Sequence, residues 1–84
     1  MGTVTHYFPK VQAAIVKVQK GAIQLNDLLF FEGATTNFRH KVTSLQKDHQ
    51  AVTVGRVGEE VGVQVNQLVN EGDQVYRVDY IVSR

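Results

Sequence analysis

The sequence predicts an all-β domain, a six- to seven-stranded, mainly antiparallel barrel that fills residues 1–84. Three observations predict it. Fifteen residues are Val and only five are Leu, and β-branched side chains suit a pleated surface better than a helix. Turn signals recur at intervals near ten residues, the spacing of short strands in a small barrel. Few windows place apolar residues at helical spacing, so no helix is expected. Closure follows from an edge argument: an open Val-rich sheet of this size would expose long, sticky edges, which a barrel removes. One domain is all the length allows. For 9.4 kDa, area scaling gives about 5,000 Å² exposed when folded against roughly 13,600 Å² unfolded, a single small core.

The first strand is Gly2 to Phe8, with Val4, His6 and Phe8 on one face. Pro9 lacks a backbone donor and pushes Phe8 out of the helical region, so the strand closes there. A second strand, Ala13 to Lys20, turns Ala14, Val16 and Val18 inward, and Gly21 supplies a turn. Asn26-Asp27 leads into Leu28-Leu29-Phe30-Phe31, an apolar run suited to a strand covered on both sides. Thr36 to Gln46 reads as one long, bent strand, followed by a polar connection, Lys47 to Gln50. Ala51 to Gly58 forms a short strand weakened by its glycines. Glu60 to Val65 alternates cleanly, with Val61, Val63 and Val65 inward. The last strand, Val75 to Val82, puts Tyr76, Val78, Tyr80 and Val82 on one face. The expected core is Val16, Val18, Phe30, Val42, Val61, Val63, Tyr76 and Val78.

Composition excludes several kinds of chemistry. With no cysteine, disulfides, thiolate catalysis and thiolate zinc sites are absent. His6, His40 and His49 lie on three different elements without the spacing of a metal site. Asp27, Glu32, Glu59, Glu60, Glu71 and Asp73 sit in or beside turns, where carboxylates cap backbone donors or stay solvated. Ser44 and Ser83 stand outside any nucleophile elbow. Gly55-Arg-Val-Gly58 and Gly58-Glu-Glu-Val-Gly62 match neither phosphate-loop nor dinucleotide signatures, so turn geometry or close packing accounts for these glycines. No enzyme activity, cofactor or metal is expected. No 18-residue apolar run or signal-like start occurs, which makes a cytoplasmic protein without a membrane partner the expectation.

Net charge is only +1, but its distribution is lopsided. Residues 1–50 hold six Lys+Arg against three Asp+Glu, and residues 51–84 hold three against five. A basic face built from the first half could meet phosphates; solvated strand faces and edge protection by lysine explain the same bias.

The segments Thr3-Val-Thr-His-Tyr-Phe8, Thr35-Thr-Asn-Phe38, Val42-Thr-Ser-Leu-Gln46, His49, Gly58-Glu-Glu-Val-Gly-Val-Gln-Val65 and Val69-Asn-Glu-Gly-Asp-Gln-Val-Tyr76 together resemble the small β-barrel proteins related to domain 2 of elongation factor Tu. They also resemble the C-terminal barrel of collagenase-like peptidases. Where that family places a Gly-Asp turn, Asn26-Asp27 stands here, and Asn tolerates the same positive φ. The resemblance implies a translation-factor-type barrel acting as a binding module, with no active site carried over. On it and on the charge bias rests the expectation that Lys10, Lys17, Lys20, Arg39 and Lys41 contact tRNA or rRNA, with RNA or a ribosome-associated protein as the partner. The alternative is a protein-interaction or assembly module, for which a homodimer is one form, resting on apolar surface expected at Tyr7, Ile81 and the Val75 side of the last strand.

Overall fold

The computed structural model describes residues 1–78. Ten short strands follow one another: β1 (Gly2–Phe8), β2 (Ala13–Val18), β3 (Ala22–Gln24), β4 (Leu28–Glu32), β5 (Asn37–Lys41), β6 (Leu45–Lys47), β7 (Gln50–Ala51), β8 (Val54–Arg56), β9 (Glu60–Gln64) and β10 (Gln74–Arg77). Eight form one sheet in the order β5-β4-β10-β1-β2-β9-β6-β7, and β3 and β8 form a two-stranded ribbon. Every pairing among the described residues is antiparallel. The all-β class therefore stands, with more and shorter strands than expected. The pairing does not close: β5 and β7 end the ladder without pairing to each other. Side chains from β1, β2, β3, β4, β5, β6, β9 and β10 nevertheless share one buried cluster, so the sheet curls around its core.

The interior is built by alternation. Ala14, Val16 and Val18 of β2, Leu29 and Phe31 of β4, and Val61 and Val63 of β9 have no exposed surface. Phe31 stacks on Phe38 with ring centroids 5.1 Å apart. Of the expected core, Val16, Val18, Val42, Val61 and Val63 are buried. Phe30, Tyr76 and Val78 are not: Phe30 and Val78 are half-buried and Tyr76 is 42% exposed. In the last strand the inward residue is Val75, paired with Phe31, so the expected face is slipped by one position. A one-residue slip exchanges both faces of a strand. Tyr80 and Val82 lie outside the described residues.

A second correction has a clear physical cause. In β1, Val4 pairs with Val16 but His6 pairs with Ile15, which leaves Thr5 as the extra residue of a β-bulge. The bulge reverses the alternation. Before it Gly2 and Val4 face inward; after it His6 and Phe8 face solvent and Tyr7 packs against the core. The Thr5 hydroxyl donates to the Ile15 carbonyl at 3.3 Å.

The single long strand expected over Thr36–Gln46 is divided. Val42 donates its N–H to the Asp27 carbonyl and accepts from Asn26 N–H, both at 2.8 Å. Pinned to that turn, the chain leaves β4 and re-emerges as β6, which pairs with β9. The polar connection after it is a two-residue hairpin turn. Asp48 and His49 have φ of 52° and 65°, and Lys47 pairs with Gln50, as a type I′ turn requires.

One turn design occurs three times. In Gln24–Asp27, Arg56–Glu59 and Asn70–Asp73 the fourth residue donates its N–H to the first carbonyl at 3.0–3.1 Å. Its carboxylate accepts the first residue's N–H at 2.8 Å. The third residue, Asn26, Gly58 or Gly72, has φ of 76°, 89° or 91°, the left-handed conformation of a type II turn. Asn26 thus does replace glycine. The third copy is the most deeply set. Asp73 is buried, and Asn70 donates its side-chain amide to the hydroxyls of Thr35 and Thr36 at 3.0 and 3.4 Å. A Cβ on Gly33 would overlap the Asp73 carboxylate, so only glycine lets these two turns meet.

Candidate functional site

The bulge in β1 and the alternation of β2 and β9 create a groove on the outer side of the sheet. Two cross-strand rows lie there. Phe8, Ala13 and Gln64 form one, and His6, Ile15, Gly62 and Gln46 form the other. The groove has a volume of about 550 Å³ and is lined by Phe8, Val11, Ile15, Gly62, Gln64 and His49, among others. Phe8 is 50% and Val11 62% exposed, two of the five large apolar side chains exposed among the described residues, and these two line the groove together. Both belong to the β1–β2 hairpin, whose loop carries Pro9 and reverses with Gln12 at φ 53°. His6 stacks on Phe8 at 6.2 Å and reaches Glu71 at 3.5 Å beside the groove, both His6 and Glu71 being exposed. No Asp, Glu, Lys or Arg lines it.

Gly62 gives the groove its floor. Its φ lies outside the left-handed region, and a Cβ there would meet only Ile15 Cδ1 at 3.6 Å and the Gln46 carbonyl at 3.9 Å. These are ordinary contacts. Neither turn geometry nor close packing therefore requires this glycine, contrary to the expectation from the sequence. What the missing side chain does is keep the outer face open.

A second, shallower depression of about 430 Å³ lies beside Lys47, Val52, Val54, Arg56 and Glu59. Lys47 Nζ donates to Glu59 Oε2 at 2.6 Å. That hydrogen bond raises the Lys47 pKa above its ordinary value and lowers that of Glu59, with the Arg56 backbone N–H lowering Glu59 further. The pair ties β6 to the Arg56–Glu59 turn and is structural.

The five expected phosphate contacts do not form one stripe. Lys10 lies in the β1–β2 loop, Lys17 on the outer face of β2 between Thr3 and Glu60, and Lys20 beyond the other end of β2. Arg39 and Lys41 lie together on β5, at the far edge of the sheet. There Arg39 stands opposite Phe30, and Phe30 stacks on Tyr76 of β10 at 6.4 Å. All five cations are exposed. Among the described residues no three His, Cys, Asp or Glu side chains gather as metal ligands would. No helix is long and apolar enough to cross a membrane. Exposed apolar surface was expected at Tyr7, Val75 and Ile81; Tyr7 is half-buried, Val75 is buried and Ile81 lies outside the described residues.

The groove belongs to an all-β domain, an open, curled antiparallel sheet, and lies uncharged on its outer side. Comparison with known proteins gives this class its relatives. No family model matches the chain. An uncharacterized protease of Methanocaldococcus jannaschii is 35% identical over 77 residues, which cover 90% of this chain and 19% of that protein. The chain thus spans about a fifth of the length of the curated relative it matches. Among solved structures, the C-terminal domain of a U32 peptidase from Geobacillus thermoleovorans superposes with a TM-score of 0.84 at 18% identity. The match covers 93% of this chain and 90% of that one. The selenomethionine variant of that domain gives 0.82 at 19% identity, over 88% and 93%. The chain has the fold of these peptidase C-terminal domains.

Proposed function

We propose that this chain is a non-catalytic protein-docking module of the peptidase-associated kind. Its groove receives an uncharged, apolar segment of a larger peptidase-type partner. The observation that carries the proposal is the groove itself: exposed Phe8 and Val11 stand over a glycine that the fold does not need. Two facts support it. The curated relative carries the matching segment within a chain about five times as long, and the superposing structures are C-terminal domains of a peptidase. A domain of that kind needs a face for the rest of its protein. Apolar area walled by aromatic and aliphatic side chains is where such contacts concentrate their energy. The same proposal takes the curled sheet as the translation-factor type of barrel and its setting as cytoplasmic.

Titration calorimetry tests it, with the part of the methanocaldococcal protease outside the matched segment as partner. The chain binds that part, while Phe8→Ser and Gly62→Leu abolish binding and leave the fold intact. Binding that survives both substitutions sinks the proposal. On a fluorogenic peptide panel the chain alone shows no hydrolysis.

Contact with tRNA or rRNA is the second reading. The pair Arg39 and Lys41 beside the Phe30–Tyr76 stack favours it, because cations next to aromatic rings suit single-stranded nucleic acid. It stands second because Lys10, Lys17 and Lys20 lie elsewhere.

A further inference from the structure

The free edge of β5 carries an inference independent of the groove. Gly33 and Thr36 exchange backbone hydrogen bonds at 2.8 and 3.4 Å, and Val42 N–H donates to the Asp27 carbonyl at 2.8 Å. With the β4–β5 register, these bonds fix the phase of the ladder. Phe38 and His40 direct their backbone groups toward β4, and Asn37, Arg39 and Lys41 direct theirs outward, as alternation in an antiparallel pair demands. β5 ends the sheet, so three consecutive outward N–H and C=O sets face away from every strand among the described residues.

Such an edge is a template for another strand, and charge decides which one. Arg39 and Lys41 point to the outer face and have no ion-pair partner among the described residues. Among the described residues their one acidic neighbour on this face is Glu32, which pairs across the ladder with Asn37. Two copies meeting edge to edge around Arg39 would set guanidinium against guanidinium, and like charges directly opposite destabilise a sheet. A strand with acidic residues at alternate positions meets both cations instead. The inner side of β5 adds a second requirement: His40 Nε2 is buried without a hydrogen-bond partner. A hydroxyl at the inward positions of an incoming strand would supply one, since strand side chains alternate between faces.

We propose that the β5 edge binds an extended acidic segment of a partner polypeptide by strand addition. Its acidic side chains lie against Arg39 and Lys41, and small polar ones turn inward beside His40. This is main-chain recognition with side-chain selection. It uses a different surface from the groove, so the two proposals fail separately.

The probe is the peptide acetyl-Glu-Thr-Glu-Thr-Glu-amide, compared with its Lys-Thr counterpart and with oligouridylate. Backbone amide exchange is followed by NMR. With the Glu peptide, exchange at Asn37, Arg39 and Lys41 slows about tenfold or more, while Phe38 and His40, already bonded to β4, change little. The Lys peptide has no effect on the wild-type chain. The double variant Arg39→Glu, Lys41→Glu reverses the preference, its amide spectrum elsewhere showing an intact fold. Gly62→Leu leaves the response unchanged. Three results overturn the proposal: no slowing at those amides at about 1 mM peptide, where even weak binding registers; an equal response to both peptides; or oligouridylate displacing the Glu peptide, which would assign the face to nucleic acid.

Discussion

The two ends of the eight-stranded sheet present outer faces of opposite character. Over the part of β2, β9 and β6 next to the β1–β2 loop the face holds a groove without charged lining, walled by Phe8 and Val11. Over β10, β4 and β5 it is aromatic and cationic, with Tyr76, Phe30, Arg39 and Lys41 in adjoining rows. Both cover the same apolar interior. The contrast teaches that inward residues set the fold, while outward residues on the same strands are free to differ in chemistry between the two ends of the sheet.

Substitutions differ in how they bear on this contrast. The largest effect breaks both faces together. Phe31 is fully buried and stacked on Phe38, so Phe31→Ala should cost about 3–5 kcal/mol. That approaches the whole stability of a domain this size, roughly 4–12 kcal/mol. Urea unfolding should show the midpoint collapsing, with groove and β5 amides losing protection at once. Asp73→Ala comes next and separates the faces. It removes the acceptor of the Asn70 N–H in a buried turn, worth about 1–3 kcal/mol. Because Asn70 reaches Thr35 and Thr36 between β4 and β5, exchange should rise first in β4, β5 and β10, with β2 and β9 following only on global unfolding. Gly62→Leu alters the groove alone. Replacing a strand glycine in open space should raise stability by up to about 1 kcal/mol, read as a higher urea midpoint while docking is lost.

The smallest effect is one of pH. The folded pKa of Glu59 is lowered below its ordinary 4.5, so its contribution is present above the unfolded value and lost as pH falls through the folded one. The folded pKa of Lys47 is raised above 10.5; its contribution is present below that value and lost as pH rises past the folded one. Lys47→Gln should flatten both the acid and the alkaline shoulders of Tm against pH and leave the neutral region nearly unchanged, since the pair is largely solvated.

Much of this fold is legible in the sequence. Strands with strict alternation, such as Ala13–Val18 and Glu60–Gln64, declare their inward face, and Pro9 marks the end of β1 as expected. Asn26-Asp27 was readable as a turn because Asn accepts positive φ. Misreadings fall where periodicity is broken or doubled. The bulge at Thr5 has no marker in Thr3-Val-Thr-His-Tyr-Phe8, yet it turns His6 and Phe8 outward. Leu28-Leu-Phe-Phe31 and Val75-Tyr-Arg-Val78 offer apolar side chains to both faces, so their phase is ambiguous until a partner strand fixes it. Ala22–Gln24 is too short to show a period at all. The groove was hidden for another reason: its floor is a residue with no side chain, and its lining comes from four strands, β1 and β2 at one end of the sequence and β6 and β9 far from them. The scatter of Lys10, Lys17 and Lys20 away from Arg39 and Lys41 is likewise a matter of strand order, which charge counts do not contain.

The bulge in β1 also makes this surface unusually tolerant of a change by a single codon. Deleting Thr5 would restore a continuous two-residue alternation along β1. Because His6 already pairs with Ile15 and Tyr7 with Ala14, the stretch after it would keep its faces, with Tyr7 inward and His6 and Phe8 toward solvent. Phe8 would still wall the groove. A lineage could thus gain or lose the bulge by one in-frame insertion or deletion at this position and keep every remaining side chain on the face it has.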